Sequence, residues 1–355
     1  MTKLCKQRLS RVIGMGLLVV AVQTTAHAVG ADDTLAIHGY GHQGYLQSNH
    51  NTYLGADGHG SWDFNQLALV LSAKVDDNTR IWMQLFSTAT NTKLEWSYVD
   101  YRFTSELSGR AGLIKFSYGL YGELVDAHFL QQSTLMPFLY QESEMRYESL
   151  RGLAATYKHA AGSGSVIWDI YAGQILSPEV AAQIKFGRLL GGRAIYRTPV
   201  EGLRFVAAAF GGNEEEILSG ITTRDKSSVL SVDYTNNNWD VKAEAARTQE
   251  FGISSSTSYI QAGYTLGEKW TPFMRYDYIT TDQARKSDPS YYQKTTTVGL
   301  NYKINSSVSV RLEDNINRGY AMPVKTYDPA AGTGVAAGSG TEDWNMLAAS
   351  VNFIF

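Results

Sequence analysis

Cysteine is almost absent: Cys5 is the one example in 355 residues. A disulfide framework and a cysteine-rich metal site are therefore excluded. Proline is scarce, at seven residues, so no long polyproline or low-complexity linker divides the chain. A basic surplus is also missing, with 31 Lys and Arg against 34 Asp and Glu, which argues against a nucleic-acid partner. Past residue 22 no apolar run approaches the roughly 20 residues of a membrane-crossing helix. Whatever this chain does at a membrane, it does not do with helices.

The first 28 residues read as an export signal. Lys3, Lys6, Arg8 and Arg11 form a positive segment, residues 12–22 form a short apolar one, and Ala26-His27-Ala28 supplies the small-residue cleavage pattern. Cys5 precedes the apolar segment, so it is not the acylated cysteine of a lipoprotein. Cleavage near Ala28 leaves one domain, residues 29–355, with 27 basic and 34 acidic residues and a formal charge of about −7.

What is present is period-two alternation. Leu67, Leu69, Leu71, Ala73 and Val75 share one face of an extended chain, while Gln66, Ser72 and Lys74 share the other. Ile260, Ala262, Tyr264 and Leu266 repeat the pattern, and so do Val298, Leu300, Tyr302 and Ile304. Sixteen such segments begin near residues 35, 62, 79, 93, 109, 151, 165, 187, 202, 226, 239, 256, 269, 291, 307 and 342. Short polar turns follow the even segments. Mostly longer loops follow the odd ones, at 49–60, 119–150, 176–186, 211–225, 281–290 and 319–341. An even strand count with loops sorted by length predicts an all-β fold, a transmembrane antiparallel β-barrel of 16 strands.

Two further signals agree. Tyr101, Tyr157, Tyr196, Tyr234, Tyr264 and Tyr302 each fall on the apolar face of an even strand shortly before its turn, as an aromatic belt at one membrane interface requires. The last strand alternates Leu347, Ala349, Val351, Phe353 and Phe355 with smaller or polar residues and ends on an aromatic ring. In that ending the chain resembles bacterial outer-membrane proteins, whose terminal phenylalanine the barrel-assembly machinery recognises.

The stretch 38–45, HGYGHQGY, contains the dinucleotide fingerprint at Gly39, Gly41 and Gly44. That motif works only where a helix N-terminus receives the pyrophosphate, and the chain here continues as strand. The glycines are read as positions of bending or close packing near barrel closure.

Residues 94–126 resemble a stretch of sixteen-strand Gram-negative porins, including the phosphate-selective porin-like group. The resemblance rests on Tyr98-Val99-Asp100-Tyr101, Arg110-Ala111-Gly112, Lys115-Phe116 and Gly119-Leu120-Tyr121. Tyr118 stands where that group commonly has proline. The resemblance implies a homotrimer, with one pore per subunit and a long third loop folded into the lumen as its constriction. Loop 119–150 carries Glu123, Asp126, Glu142, Glu144 and Glu148 against Arg146 alone, so these six are the expected constriction residues and the expected preference is mildly for cations.

Charged side chains on barrel strands must face water rather than hydrocarbon. Parity then places Asp100, Arg102, Asp169, Arg193, Arg197, Arg204, Asp233, Lys242, Glu244, Arg275, Asp277, Arg311 and Glu313 on the lumen wall, with Lys115 ambiguous beside the loop.

An enzyme is not expected. His38 and His42 are too far apart along a strand to chelate one ion, and a nucleophile–base constellation is lacking. His50, Asp57 and His59 are the weak metal candidate in the first loop; no cofactor and no metal are expected. An adhesin or other blocked barrel would need a plug that the short stretch before the first strand does not supply.

The sequence thus predicts an outer-membrane channel for passive diffusion of small hydrophilic solutes and ions, multi-pass through its strands. Lipid bilayer, lipopolysaccharide and, through Phe355, the barrel-assembly machinery are its expected partners. The alternative is a channel specific for a sugar, peptide, organic acid or anion, with Tyr121, Phe129, Phe138 and Tyr140 as stacking rings.

Overall fold

A computed structural model describes residues 35–89, 91–141, 149–176, 184–216, 220–322 and 340–355. The alternating segments form sixteen strands. They are β1 (Leu35–Ser48), β2 (Asn65–Lys74), β3 (Thr79–Thr88), β4 (Thr92–Arg102), β5 (Leu107–Lys115), β6 (Ser149–Ala161), β7 (Gly164–Leu176) and β8 (Ile184–Arg197). The second half comprises β9 (Leu203–Glu216), β10 (Ile221–Thr235), β11 (Trp239–Glu250), β12 (Ile253–Tyr264), β13 (Trp270–Thr280), β14 (Tyr292–Lys303), β15 (Val308–Arg318) and β16 (Asp343–Ile354). Each pairs antiparallel with its chain neighbours, and β1 pairs with β16, closing the barrel. Closure leaves no unpaired edge, which strands need if they are to cross a bilayer.

Residues 1–28, read from the sequence as an export signal, and residues 142–148 lie outside the described residues. One loop differs from expectation. Residues 211–216 and 221–225 look polar enough for a loop, yet they continue β9 and β10, with Glu216 opposite Ile221. Polarity marks a strand running beyond the hydrocarbon as readily as it marks a loop. Phe251 and Gly252, both with positive φ, turn β11 directly into β12, so the loop end is not uniformly long.

Register confirms which way side chains point. Leu67, Leu153, Ile170, Leu230, Ile260, Val298 and Leu312 are exposed, while the alternate positions Asp169, Asp233, Lys242, Glu244, Arg275, Asp277, Arg311 and Glu313 are buried inside. The six belt tyrosines share the outward face, where Tyr264 packs on Trp239 and Tyr302 on Trp270 across neighbouring strands.

Two of the three glycines of 38–45 are explained at closure, and the third, Gly44, lies against Phe64. A Cβ on Gly39 would lie 2.1 Å from the Phe355 ring, and one on Gly41 2.9 Å from Phe353. These outward positions are kept bare so that the two terminal rings can lie flat across β1.

Candidate lumen and third loop

The chain between β5 and β6 carries the candidate site. Its described part, residues 116–141, is mostly buried and hydrogen-bonds to inward side chains from many strands. Phe116 and Tyr118 begin it by packing on Phe210 of β9, with ring centroids 4.9 and 5.3 Å away. The Tyr118 hydroxyl lies 2.6 Å from Ser227 Oγ of β10. At Tyr118 this chain has an aromatic anchor that fixes the loop entry by packing.

Glu244 of β11 is the next anchor. It accepts from Ser231 Oγ (2.6 Å), Tyr140 Oη (2.6 Å), Tyr259 Oη (2.7 Å) and the Leu120 N–H (2.9 Å). A buried carboxylate needs such a set of donors to offset lost hydration. Burial, reinforced by the Glu244 carboxylate, pushes the Tyr140 phenol well above its ordinary pKa, so it remains a donor.

Farther along, Glu313 of β15 accepts from the backbone N–H groups of Thr134 (2.8 Å) and Leu135 (3.1 Å). Arg275 of β13 donates to the Leu135 carbonyl at 2.8 Å and pairs with Asp277. Arg311 of β15 donates to the carbonyls of His128 (2.7 Å) and Phe129 (3.1 Å). Arg275, Asp277, Arg311 and Glu313 therefore face inward as parity requires, but at 1–2% exposure they hold loop backbone instead of meeting water.

The loop carboxylates are also paired. Glu123 bridges Arg193 of β8 (2.6 Å) and Arg110 of β5 (2.9 Å), and Arg193 also holds Asp169 at 2.8 Å. Burial alone would raise the Glu123 pKa; the two guanidiniums outweigh it and hold the carboxyl at about 2. Asp126 pairs with Lys115, whose side chain thus turns inward, and accepts from Gln84 at 3.0 Å. Of the remaining expected constriction residues, Glu142, Glu144, Arg146 and Glu148 lie outside the described residues.

Inward charges left exposed in the short-turn half of the wall include Arg102 of β4, Lys158 of β6 and Arg197 of β8. Arg102 donates to the Asp77 carbonyl, and Asp100 lies 3.6 Å from Arg110. Arg204 of β9 pairs with Asp233 at 2.7 Å.

One contact had no signal in the strand pattern. His128 of the loop stacks against His42 of β1, with ring centroids 4.4 Å apart, and Phe64 closes on both. Burial, with the nearby Arg311 charge, lowers the His128 pKa to about 4. The aromatic residues considered for solute stacking are engaged: Tyr121 packs on Tyr140, Phe138 is buried, and Phe129 packs on Tyr40. Among the described residues no cluster of three or more His, Cys, Asp or Glu could hold a metal.

No protein-family model matches the chain, and no curated sequence relative does. Solved structures do match. The fold is that of the outer-membrane porins. OmpF of Salmonella typhi, in complex with daunomycin, is 13% identical over 90% of this chain and 97% of its own, with a TM-score of 0.63. The outer membrane channel DcaP of Acinetobacter baumannii is 10% identical over 90% and 97%, with a TM-score of 0.60. OmpT of Vibrio cholerae, folded in vitro in a trimer form, is 12% identical over 91% and 100%, with a TM-score of 0.58. At these identities the likeness carries the sixteen-strand barrel alone; the phosphate-selective subgroup is not among what it supports.

Proposed function

We propose that the protein is an outer-membrane channel through which small hydrophilic solutes and ions diffuse passively. The observation that carries this reading is a closed sixteen-strand barrel, apolar outside and charged inside, whose third loop is tied by its backbone to the inner wall. A loop held across the lumen restricts the bore without a moving part, and the water-filled remainder admits only solutes that keep their hydration or exchange it with wall groups.

Glu123 and Asp126 are neutralised by wall cations, so a mild cation preference has to come from Glu142, Glu144 and Glu148 against Arg146. Asp100, Arg102, Lys115, Arg193, Arg197 and Arg204 complete the proposed wall, and Arg275, Asp277, Arg311 and Glu313 support the loop. The trimer, the cleavage near Ala28 and the role of Phe355 in assembly belong to the same reading, supported by the trimeric form of one structural neighbour and by the terminal strand's place at closure.

Planar-bilayer recording tests it. Ohmic conductance with a reversal potential slightly favouring cations in a salt gradient is expected; absence of conductance would overturn the reading, and clear anion preference would overturn the cation lean.

A further inference from the structure

Between residues 116 and 140 the third loop is buried or half-buried except at two side chains: Leu124 and Leu130 are 40 and 54% exposed. Both are apolar, where carboxylates were expected to meet the water. They belong to the stretch 123–130, the part of the loop nearest the short turns. Its wall contacts Arg110, Arg193, Arg311 and Tyr40 each stand within six residues of the short-turn end of their strands. The loop-end half of the interior is packed, with Thr280, Gln293, Trp344 and Met346 buried. The water that reaches the two leucines is therefore that of the short-turn half.

The wall beneath them is apolar first and charged only farther down. Gln84 of β3 donates to Asp126 of the loop, and two residues nearer the turn stands Trp82, directly opposite Tyr98 of β4 and diagonal to Val70 of β2. Trp82, Tyr98 and Val70 face inward by parity with Gln84 and are half-buried. Arg110, which holds Glu123 next to Leu124, also lies 5.6 Å from the centre of the Tyr98 ring, so loop and panel adjoin.

Two residues nearer the mouth comes Arg80, its guanidinium 5.4 Å from the centre of the Trp82 ring, with Arg102 diagonal to it across β4. Both are exposed, and neither makes an ion pair with a described residue. The carboxylates around them are engaged: Asp100, opposite Arg80, pairs with Arg110, Asp77 pairs with Lys74, and Asp76 accepts from the N–H groups of its own turn. Four strand residues separate Arg80 from Gln84, which puts the two free guanidiniums roughly 13 Å from the loop.

Guanidiniums recognise a carboxylate through paired N–H donors, and leucine, tryptophan and valine facing water gain by covering one another or a ligand's alkyl chain. A sugar or a small inorganic anion would use one zone of this surface and leave the other idle. We propose that the panel is a binding site for amphiphilic anions, namely alkyl carboxylates of about eight carbons, the length that spans it. The carboxylate pairs with Arg80 and Arg102, the chain lies along Trp82, Tyr98 and Val70, and its end meets Leu124 and Leu130. The inference deepens the channel reading by naming a solute class, and rests on it for access from the water; the panel itself does not depend on conduction.

The test is equilibrium dialysis of octanoate against the protein in lipid nanodiscs, with binding to empty nanodiscs subtracted. Butanoate and octylamine serve as separate probes, and inorganic phosphate as a competitor. Binding is expected to be saturable and to tighten by roughly threefold per methylene, so that octanoate exceeds butanoate by well over tenfold. R80Q with R102Q is expected to lose roughly tenfold for octanoate and to erase its advantage over octylamine. L124Q with L130Q is expected to flatten the dependence on chain length and leave butanoate unchanged. The outward control K226Q is expected to bind as the parent does.

Octanoate that binds no better than butanoate or octylamine overturns the proposal, and so does an undiminished affinity in R80Q with R102Q. Displacement by millimolar inorganic phosphate would reassign the two arginines to free anions and overturn it as well. If the leucine pair does not assemble, Trp82→Ala is expected to flatten the chain-length dependence in its place, and no change there overturns the proposal. Conductance is measured on the same preparations: a silent protein that still selects octanoate sinks the channel reading and leaves the site standing, whereas a conducting protein blind to octanoate sinks the site alone.

Discussion

The Tyr140 hydroxyl donates to Glu244 at 2.6 Å while accepting from the backbone N–H groups of Leu120 and Tyr121 at 2.8 and 3.0 Å. One oxygen thereby joins both arms of the third loop to β11. Tyr140→Phe removes it without changing the ring, leaving buried polar groups short of partners at about 1–3 kcal/mol. The barrel's strand ladders do not involve it, so heat-modifiable gel migration is expected to stay normal. Single-channel records are expected to become noisier, and the loop more easily cut by protease.

Glu123 stands between Arg110 and Arg193 and pairs with both, with Asp100 and Asp169 as their second partners. In Glu123→Gln the two guanidiniums remain, inward and partly wet, so the bore gains one positive charge near the loop. The reversal potential in a salt gradient is expected to move toward anions relative to the parent. Loss of the bridge is expected to lower stability by about 2 kcal/mol, below the figure for a fully buried pair because Glu123 keeps some exposure to solvent.

His128 makes loop docking sensitive to acid. Its pKa is about 4 when docked and about 6.5 when free, so the undocked loop binds more protons between those values. Docking is therefore fully supported above about pH 6.5 and weakens as pH falls toward 4, by roughly 3 kcal/mol in total. Burial and Arg311 disfavour the added charge, while Asp126 and the Thr134 carbonyl favour it; the His42 ring faces His128 at 4.4 Å. Conductance or flicker measured from pH 7 to 4 is expected to change in that window, and His128→Phe is expected to flatten the response. Glu123 acts lower: its depressed pKa adds stability above about 4.5 that disappears only as pH falls toward 2.

The wall was legible in the sequence because a strand has only two faces. Once Leu67 and Leu230 are assigned to lipid, Gln66 and Asp233 have no choice, and sixteen starts follow to within a few residues. The loop was not legible, because no periodicity links Leu120 to Glu244, Thr134 to Glu313 or His128 to His42; these meetings depend on how a non-repetitive segment fills a closed space. Strand parity carries no information about the loop carbonyls that cover Arg275 and Arg311. The polar hairpin of β9 and β10 shows the same limit, since residues 222–228 pair as strand although none of them is apolar.

Barrel closure depends on two bare positions. Gly39 N–H donates to the Phe355 carbonyl at 2.8 Å and Phe355 N–H returns to Gly39 at 2.9 Å, while the Phe355 ring occupies the volume that a Gly39 side chain would fill. In Gly39→Leu the ring must swing away or the last backbone pair must open, at about 1–3 kcal/mol for overpacking. The φ of Gly39 is ordinary, so the penalty comes from the ring and not from backbone strain. Trimming the ring should then rescue the seam: Gly39→Leu alone is expected to slow the appearance of the folded, heat-modifiable form during refolding into detergent, and Gly39→Leu with Phe355→Ala is expected to recover much of the rate. If the double variant folds more slowly than either single one, the terminal ring contributes to closure by something other than its fit over β1.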